Sequence, residues 1–407
     1  MICAAGRHAV AAAVAAAVLM CPSLHAEDEE VRALWVVRTT LTSPAAIATM
    51  VDAAKAGGFN TLIVQVRGRG DSYFQNGLEP RPTALASQAA FDPLAVTIAR
   101  AHGAGLQVLA WINVNLVASA TELPSSRDHV VYRHPEWLMV PRALADDLSR
   151  VDPRSPEYIG RLARYVRGRP TELEGLYLSP IPAAAAAHTT AVVRDIAQRY
   201  QIDGVHFDYI RYPTQDFDYS RETIAAFRAS VLPDLSLPER HRYDARVDAG
   251  EPTLYTQAFP ERWRIFRTTQ LTALLTTLRD AVKAARPSAL VTVAVTPDPR
   301  EATAWYLQDW RGWIDRGLVD VVCPMAYTTD TSTFASAIAG VRQAAGPHPV
   351  WAGIGAYRLS PDQIAENVRS ARRAGVLGVI LFSYDALTDP THGPGYLFQV
   401  ARAAFNQ

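Results

Sequence analysis

The chain has 407 residues, with 40 Lys and Arg balancing 40 Asp and Glu, 49% hydrophobic residues and 9% aromatics, a globular profile that excludes collagen, coiled coil and wholesale disorder. A formal charge of zero removes the clustered positive charge on which nucleic-acid binders and polybasic membrane proteins depend, so no nucleic-acid partner is expected. Only Lys55 and Lys283 are lysines, and in so Ala-rich a chain the Arg excess reads as coding bias.

The first element is a targeting segment. Arg7 and His8 precede the uncharged run Ala9 to Met20, too short to span a bilayer, and residues 21–26 lead into Glu27-Asp28-Glu29-Glu30. This is the pattern of a secretory signal peptide cleaved after Ala26, which predicts a periplasmic or secreted protein with residues 27–407 forming one catalytic domain and no membrane span. Lipid anchoring at Cys21 is the lesser alternative, because Met20 is a poor residue before a lipidated Cys. Loss of Cys3 and Cys21 with the signal leaves Cys323, so no intramolecular disulfide is expected. In the apolar run Val319 to Met325, Cys323 reads as a small core residue.

Short β-branched runs bounded by Gly, Pro, Asn or Asp begin near Ala33, Thr61, Gln107, Gly204, Leu290, Val319, Val350 and Gly378. Helical patterns between them cover Pro44 to Ala56, Pro93 to His102, Ala191 to Tyr200, Thr268 to Ala285, Thr333 to Ala344 and Pro361 to Ala374. Ala183 to Ala187 reads as a loop or helix start, and Leu232 to Pro260, without clear period, as an irregular insertion. Strands alternating with helices predict a parallel sheet. Eight such units predict an α/β fold of the (β/α)8 TIM-barrel class. A bare barrel takes about 250 residues; the surplus falls mainly after strands three and four, and these long insertions should wall a cleft at the C-terminal face. An open doubly wound sheet would want a Gly-rich phosphate turn after its first strand, where Val37-Arg38-Thr39-Thr40 stands instead.

Chemistry in such a barrel gathers at the C-terminal strand ends. In Gly204-Val205-His206-Phe207-Asp208-Tyr209-Ile210-Arg211 a period of two puts His206 and Asp208 on one face, with Arg211 beyond. Asp208 is therefore the leading catalytic carboxyl, since such neighbours can tune its pKa. Strand two offers Gln65, Arg67 and, in the following loop, Asp71. The Arg69-Gly70-Asp71 triplet is read as part of that loop and not as an adhesion motif. Strand three ends in Trp111 and Asn113, a stacking platform beside an amide.

Asp298, flanked by Pro297 and Pro299 at the end of the adjacent strand five, is the expected catalytic partner of Asp208, with Glu301 one turn on. Strands six to eight deliver Tyr327, Tyr357, Tyr384 and Asp385. Aromatics and carboxyls around one rim suit a sugar polymer: rings stack on pyranose C–H faces, and two carboxyls serve as acid and nucleophile or base. Arg67, Asp71, Trp111, Asn113, His206, Arg211, Tyr327, Tyr357, Tyr384 and Asp385 are accordingly expected to bind substrate. The ten His show no H-x-H or H-E-x-x-H spacing, so no metal is expected. No cofactor is expected either, and the chain should act as a monomer on a polysaccharide.

Taken together, Val64-Gln65-Val66-Arg67, Glu79-Pro80-Arg81, Asp92-Pro93-Leu94, Ala110-Trp111-Ile112-Asn113, Leu178-Ser179-Pro180, Asp203 to Pro213, Gln308-Asp309-Trp310 and Pro324-Met325-Ala326-Tyr327 resemble the glycosyl hydrolase-like 10 family of bacterial envelope proteins. The resemblance covers nearly all of the mature chain. It implies a (β/α)8 barrel, hydrolysis of glycosidic bonds and peptidoglycan glycan strands as the substrate class, with Asp208 on the family's fourth-strand Asp. Leu109 and Tyr209 depart from that pattern, standing where many relatives have a His and a second Asp. Met325-Ala326-Tyr327 is also similar to chitinase-type barrels, but Ile210 and Arg211 stand where those carry their catalytic Glu. A barrel that binds glycan without cutting it is the alternative reading.

Overall fold

The computed structural model describes residues 30–405, so the expected signal segment, its cleavage site and Cys21 lie outside the described residues. The strands are β1 (Val31–Val36), β2 (Thr61–Arg67), β3 (Gln107–Asn113), β4 (Leu116–Ser119), β5 (Gly175–Tyr177), β6 (Gly204–Asp208), β7 (Leu290–Val295), β8 (Val321–Pro324), β9 (Trp351–Ile354) and β10 (Gly378–Phe382). Eight of them form a parallel sheet in the order β8-β7-β6-β3-β2-β1-β10-β9. Bridges from Val322 to Val350 and from Met325 to Gly353 span the remaining seam and bring the sheet round into a barrel. The eight expected strands are these eight, within two residues at each start.

Alternation along the strands sorts the core into two layers. Ala33, Trp35, Ile63, Leu109, Trp111, Cys323 and Ile380 fill the barrel, whereas Leu34, Val64, Val108, Val205 and Phe207 face the surrounding helices. Each such buried aliphatic or aromatic side chain contributes about 1.5–3 kcal/mol. Cys323 is thus a core residue, with burial pushing its thiol pKa up.

Helices begin where the sequence supplies caps. Ser43 accepts from the Ala46 amide before Pro44–Ala56, Asp92 from the Ala95 amide before Pro93–Gly103, and Ser360 exchanges bonds with Gln363 before Pro361–Arg373. Pro follows each cap, where its missing N–H costs nothing.

The two long insertions follow β3 and β6. The first contains the antiparallel pair β4 and β5, too short to stand out in the sequence, and ends in helix Ala183–Arg199, which takes up the Ala run as its first turn. The second corrects an expectation. Leu232 to Pro260 is not irregular: it forms helices Leu237–Asp248 and Leu254–Ala258, and the next helix, Pro260–Ala285, begins well before Thr268. Helix Leu237–Asp248 buries none of its residues, so it has no apolar period to read, and its start is fixed by a Ser236–Glu239 capping box.

Candidate active site

At the C-terminal end of β6, Asp208 is 7% exposed. In the β3–β6 ladder, Trp111 lies opposite His206 and Asn113 opposite Asp208, so the shared face inferred from the sequence is the barrel interior. Trp111 Nε1 donates to Asp208 Oδ2 at 3.1 Å, and the Tyr209 amide donates to Asp208 Oδ1 at 2.7 Å. Tyr209 itself stands in the left-handed region, φ 51°, a conformation that costs a non-glycine residue about 1–3 kcal/mol and tends to occur at functional sites. Burial pushes the Asp208 carboxyl up to about 6, outweighing the lowering by the Tyr209 amide, Arg211 and Trp111. Such a carboxyl keeps its proton up to about pH 6 and can give it away.

His206 lies one layer below, fully buried. Trp35 Nε1 donates to its Nε2 at 3.1 Å, so that nitrogen is the acceptor and Nδ1 carries the proton, which it donates to Thr292 Oγ1 at 2.8 Å. Thr292 passes its own proton to the Val205 carbonyl at 3.1 Å. Burial holds the imidazole pKa down at about 3, so His206 is neutral and supports the floor of the site.

The structure supplies a carboxylate that sequence reading missed. Glu174, just ahead of β5, accepts from Arg211 at 2.5 Å through Oε1 and from the Tyr177 hydroxyl at 2.7 Å through Oε2. Burial alone would raise its pKa, but Arg211 and Tyr177 hold it below the ordinary value. Its charge also raises Asp208. Two acids with opposed environments therefore meet at Arg211, whose guanidinium also lies over the Tyr209 and Tyr306 rings at 4.9 and 5.0 Å.

Asp298 has a structural employment. It is exposed, and its Oδ1 caps helix Pro299–Tyr306 by accepting from the Arg300 and Glu301 amides at 2.7 and 3.3 Å. With Glu301, Tyr327 and Thr328 it lines a cavity of about 780 Å³. Asp71 closes the loop after β2, accepting from the Gly68 and Arg69 amides at 3.0 and 2.9 Å. Asp385 clamps the segment after β1 by accepting from the Val37 amide and the Thr40 hydroxyl at 2.8 and 2.5 Å.

Arg67 is sealed at 0% exposure. Two nitrogens hold Glu79 at 2.6 Å each, and Nη1 bonds the carbonyls of Asn113 and Val114. Burial opposes the Glu79 charge, but Arg67 and His188 hold its pKa down at about 2. Arg67 thus anchors the strand ends on which Asn113 sits, and the Asn113 amide donates to the Gly68 carbonyl at 2.7 Å.

Tyr327 stacks on Phe382 with centroids 5.5 Å apart, and Tyr357 meets both rings edge-on at 6.2 and 5.9 Å. Burial and then the Asp208 charge hold the Tyr327 hydroxyl well above the usual phenol range. Tyr357 is 38% exposed, so this wall is open to a ligand. Tyr384 belongs instead to the core between barrel and helices. Among the described residues, no group of three or more His, Cys, Asp or Glu is placed to hold a metal ion, and no helix is long and apolar enough to cross a membrane.

A parallel barrel with a raised carboxyl at the end of β6 and aromatics on the same rim defines a glycoside hydrolase-type barrel. The comparisons make this specific: residues 30–354 match the model of the family described as glycosyl hydrolase-like 10, and the chain belongs to that family. It is 22% identical over 301 residues to glycosyl hydrolase YngK of Bacillus subtilis and 22% identical over 302 residues to glycosyl hydrolase DigH of Escherichia coli. These matches cover 68% and 66% of this chain but 48% and 55% of the relatives, so the chain spans about half their length. Among solved structures, the PgaB (BpsB) glycoside hydrolase domain of Bordetella bronchiseptica superposes with a TM-score of 0.61 at 16% identity, covering 90% of this chain and 97% of that one. The catalytic domain of β-amylase from Paenibacillus polymyxa gives 0.59 at 10% identity, covering 93% and 98%. At these identities the likeness concerns the fold.

Proposed function

We propose that this protein is an exported glycoside hydrolase that cleaves a polysaccharide by carboxyl acid catalysis, with peptidoglycan glycan strands as its substrate. The observation that carries the reading is Asp208: a buried carboxyl at a barrel strand's end, held by Trp111 and Tyr209, with its pKa at about 6. In this reading Asp208 protonates the glycosidic oxygen as the C–O bond breaks, and the sugar left behind develops positive charge. A carboxylate that stays ionised is needed to face that charge. Glu174 fits this role better than Asp298, because it is held ionised by Arg211 and Tyr177 and its charge reaches Asp208, whereas Asp298 is occupied by a helix end. Tyr327 and Tyr357 supply ring faces, Trp111 holds Asp208 from within the barrel, and Asn113 and Arg211 fix the mouth. Arg67, Asp71, His206 and Asp385 act by positioning it. The relatives named as glycosyl hydrolases support the glycosidase class of the reaction.

The test is incubation with purified peptidoglycan, with and without its stem peptides, followed by mass analysis of released sugars. Release by the wild type and none by Asp208→Asn is the expected result. Binding without release by the wild type would establish the glycan-binding barrel instead. Comparing Glu174→Gln with Asp298→Asn decides the partner: the catalytic one loses turnover by orders of magnitude, the other retains it.

A further inference from the structure

A cleft of about 650 Å³ among the loops after β1, β2 and β4 is lined by two arginines, Arg38 and Arg69. Arg38 follows β1 and lies across Gly68; a Cβ there would come within 2.5 Å of Arg38 Cδ and push the arginine aside. Its Nη1 donates to Gln65 Oε1 at 2.8 Å, and its Nε stands 4.0 Å from Asp71 Oδ2. The single hydrogen bond of the Arg69 side chain runs to the Gly68 carbonyl at 3.0 Å, while its Nε is buried without a partner. Burial and the neighbouring Arg38 both hold the Arg69 pKa down, and Arg69 in turn acts on Tyr209, the residue after Asp208.

A guanidinium as sparsely paired as Arg69, with the like charge of Arg38 acting on it, costs the fold stability unless something uses it. Asp71 cannot neutralise both, since its Oδ1 is committed to two backbone amides. Arg81, on the cleft wall, is committed to the carbonyls of Phe74, Gln88 and Phe91. Glu122 is the other acid of the wall and is exposed. His129 accepts from the Val131 amide at Nδ1, so its Nε2 donates to the Arg69 carbonyl at 2.7 Å and its ring is neutral. The remaining wall includes hydroxyls of Ser119, Thr121 and Ser126, which suit a sugar.

We propose that Arg38 and Arg69 form a carboxylate-reading subsite, which selects a glycan carrying an acidic sugar next to the residue held at Asp208. Guanidiniums bind carboxylates by paired, charge-assisted hydrogen bonds, and the Arg69 head group spends one of its donors, at Nη1, on the Gly68 carbonyl. The inference rests on the mouth being a glycan site. The shared chemistry is a sugar-borne carboxylate, whether on a lactyl ether or at C6 of a uronic acid.

The experiment is calorimetric titration of the full-length Asp208→Asn protein with two oligosaccharides, one bearing lactyl-ether carboxylates and one bearing uronate carboxylates, each beside its carboxyl-reduced form. At least one acidic form should bind about tenfold or more tighter than its reduced counterpart, with the advantage shrinking as salt rises, and the arm that shows it identifies the source. Arg69→Gln or Arg38→Gln on the same background should bring the ratio below about threefold. Equal affinity for acidic and reduced forms in both arms overturns the proposal, as does full discrimination in both Arg variants. The acidic-to-reduced comparison is read on the parent protein, so it stands even if an Arg variant does not fold. Wild-type protein that discriminates but releases no sugar refutes the hydrolase reading and leaves the subsite intact.

Discussion

Replacing Asp208 by Asn should make the folded protein more stable at neutral pH while abolishing turnover. Burial shifts this carboxyl from 3.8 to about 6, so the native state binds the proton more tightly than the unfolded chain does. Its contribution to stability is therefore complete below pH 3.8 and is lost as pH rises through about 6. At 1.36 kcal/mol per pH unit the loss is about 3 kcal/mol by pH 7. Asn does not ionise and escapes it. The amide keeps the bond from the Tyr209 amide but sets its own N–H against Trp111 Nε1, an offset of about 1 kcal/mol that does not vary with pH. The net gain at pH 7 is then about 2 kcal/mol, or roughly 2–3 °C in Tm for a chain of this length. Scanning calorimetry of both proteins from pH 4 to pH 8 checks it. The difference between them must grow across pH 4 to 6.5 and then level; a difference independent of pH would show that Asp208 is not a carboxyl strained by burial.

Glycan release should follow the same carboxyl, falling as pH rises through about 6 in a pH–rate profile. Trp111→Phe removes a donor that favours the ionised form, so the descending limb should move up by up to about one pH unit; an unmoved limb would detach Trp111 from Asp208. Glu79→Gln leaves the buried Arg67 without its countercharge and should cost about 3–5 kcal/mol by denaturant titration, whereas a change under 1 kcal/mol would mean that the pair is relaxed by water. Tyr357→Ala should weaken oligosaccharide binding with little loss of Tm, because the ring is 38% exposed; an unchanged affinity would remove it from the subsites. N-terminal sequencing of exported protein should read from near Glu27, and material that still begins at Met1 would refute cleavage after Ala26.

The barrel was legible because its information is periodic. Val205 and Phe207 alternate with His206 and Asp208, and the parallel ladder turns that alternation into outer and inner layers. Helix starts were legible because Ser43-Pro44, Asp92-Pro93 and Ser360-Pro361 announce them locally. Helix Leu237–Asp248 was not, because a helix that buries nothing carries no apolar period. Strand-end position singled out Asp208 and Trp111, which the structure joins by a hydrogen bond, but could not tell a residue facing the cleft from one sealed below it. Arg67, Asp71 and Asp385 occupy the expected places, yet each is bonded to the backbone or countercharge that shapes the mouth.

Glu174 was hidden for a different reason. It precedes a three-residue strand deep in an insertion, and its chemistry exists only once Arg211 from β6 and Tyr177 from β5 converge on it. The family resemblance implies a second Asp at the position of Tyr209, and in the proposed mechanism Glu174 takes the part of that carboxylate. Tyr209 serves the site through its backbone, since its amide donates to Asp208 Oδ1. Its ring lies under Arg211, which grips Glu174. Tyr209 thus links Asp208 to the Arg211–Glu174 pair. That connection predicts coupling: Tyr209→Asp should make the activity loss of Glu174→Gln smaller than in the wild type, and fully additive losses in a double-mutant cycle would refute the substitution of one carboxylate by the other.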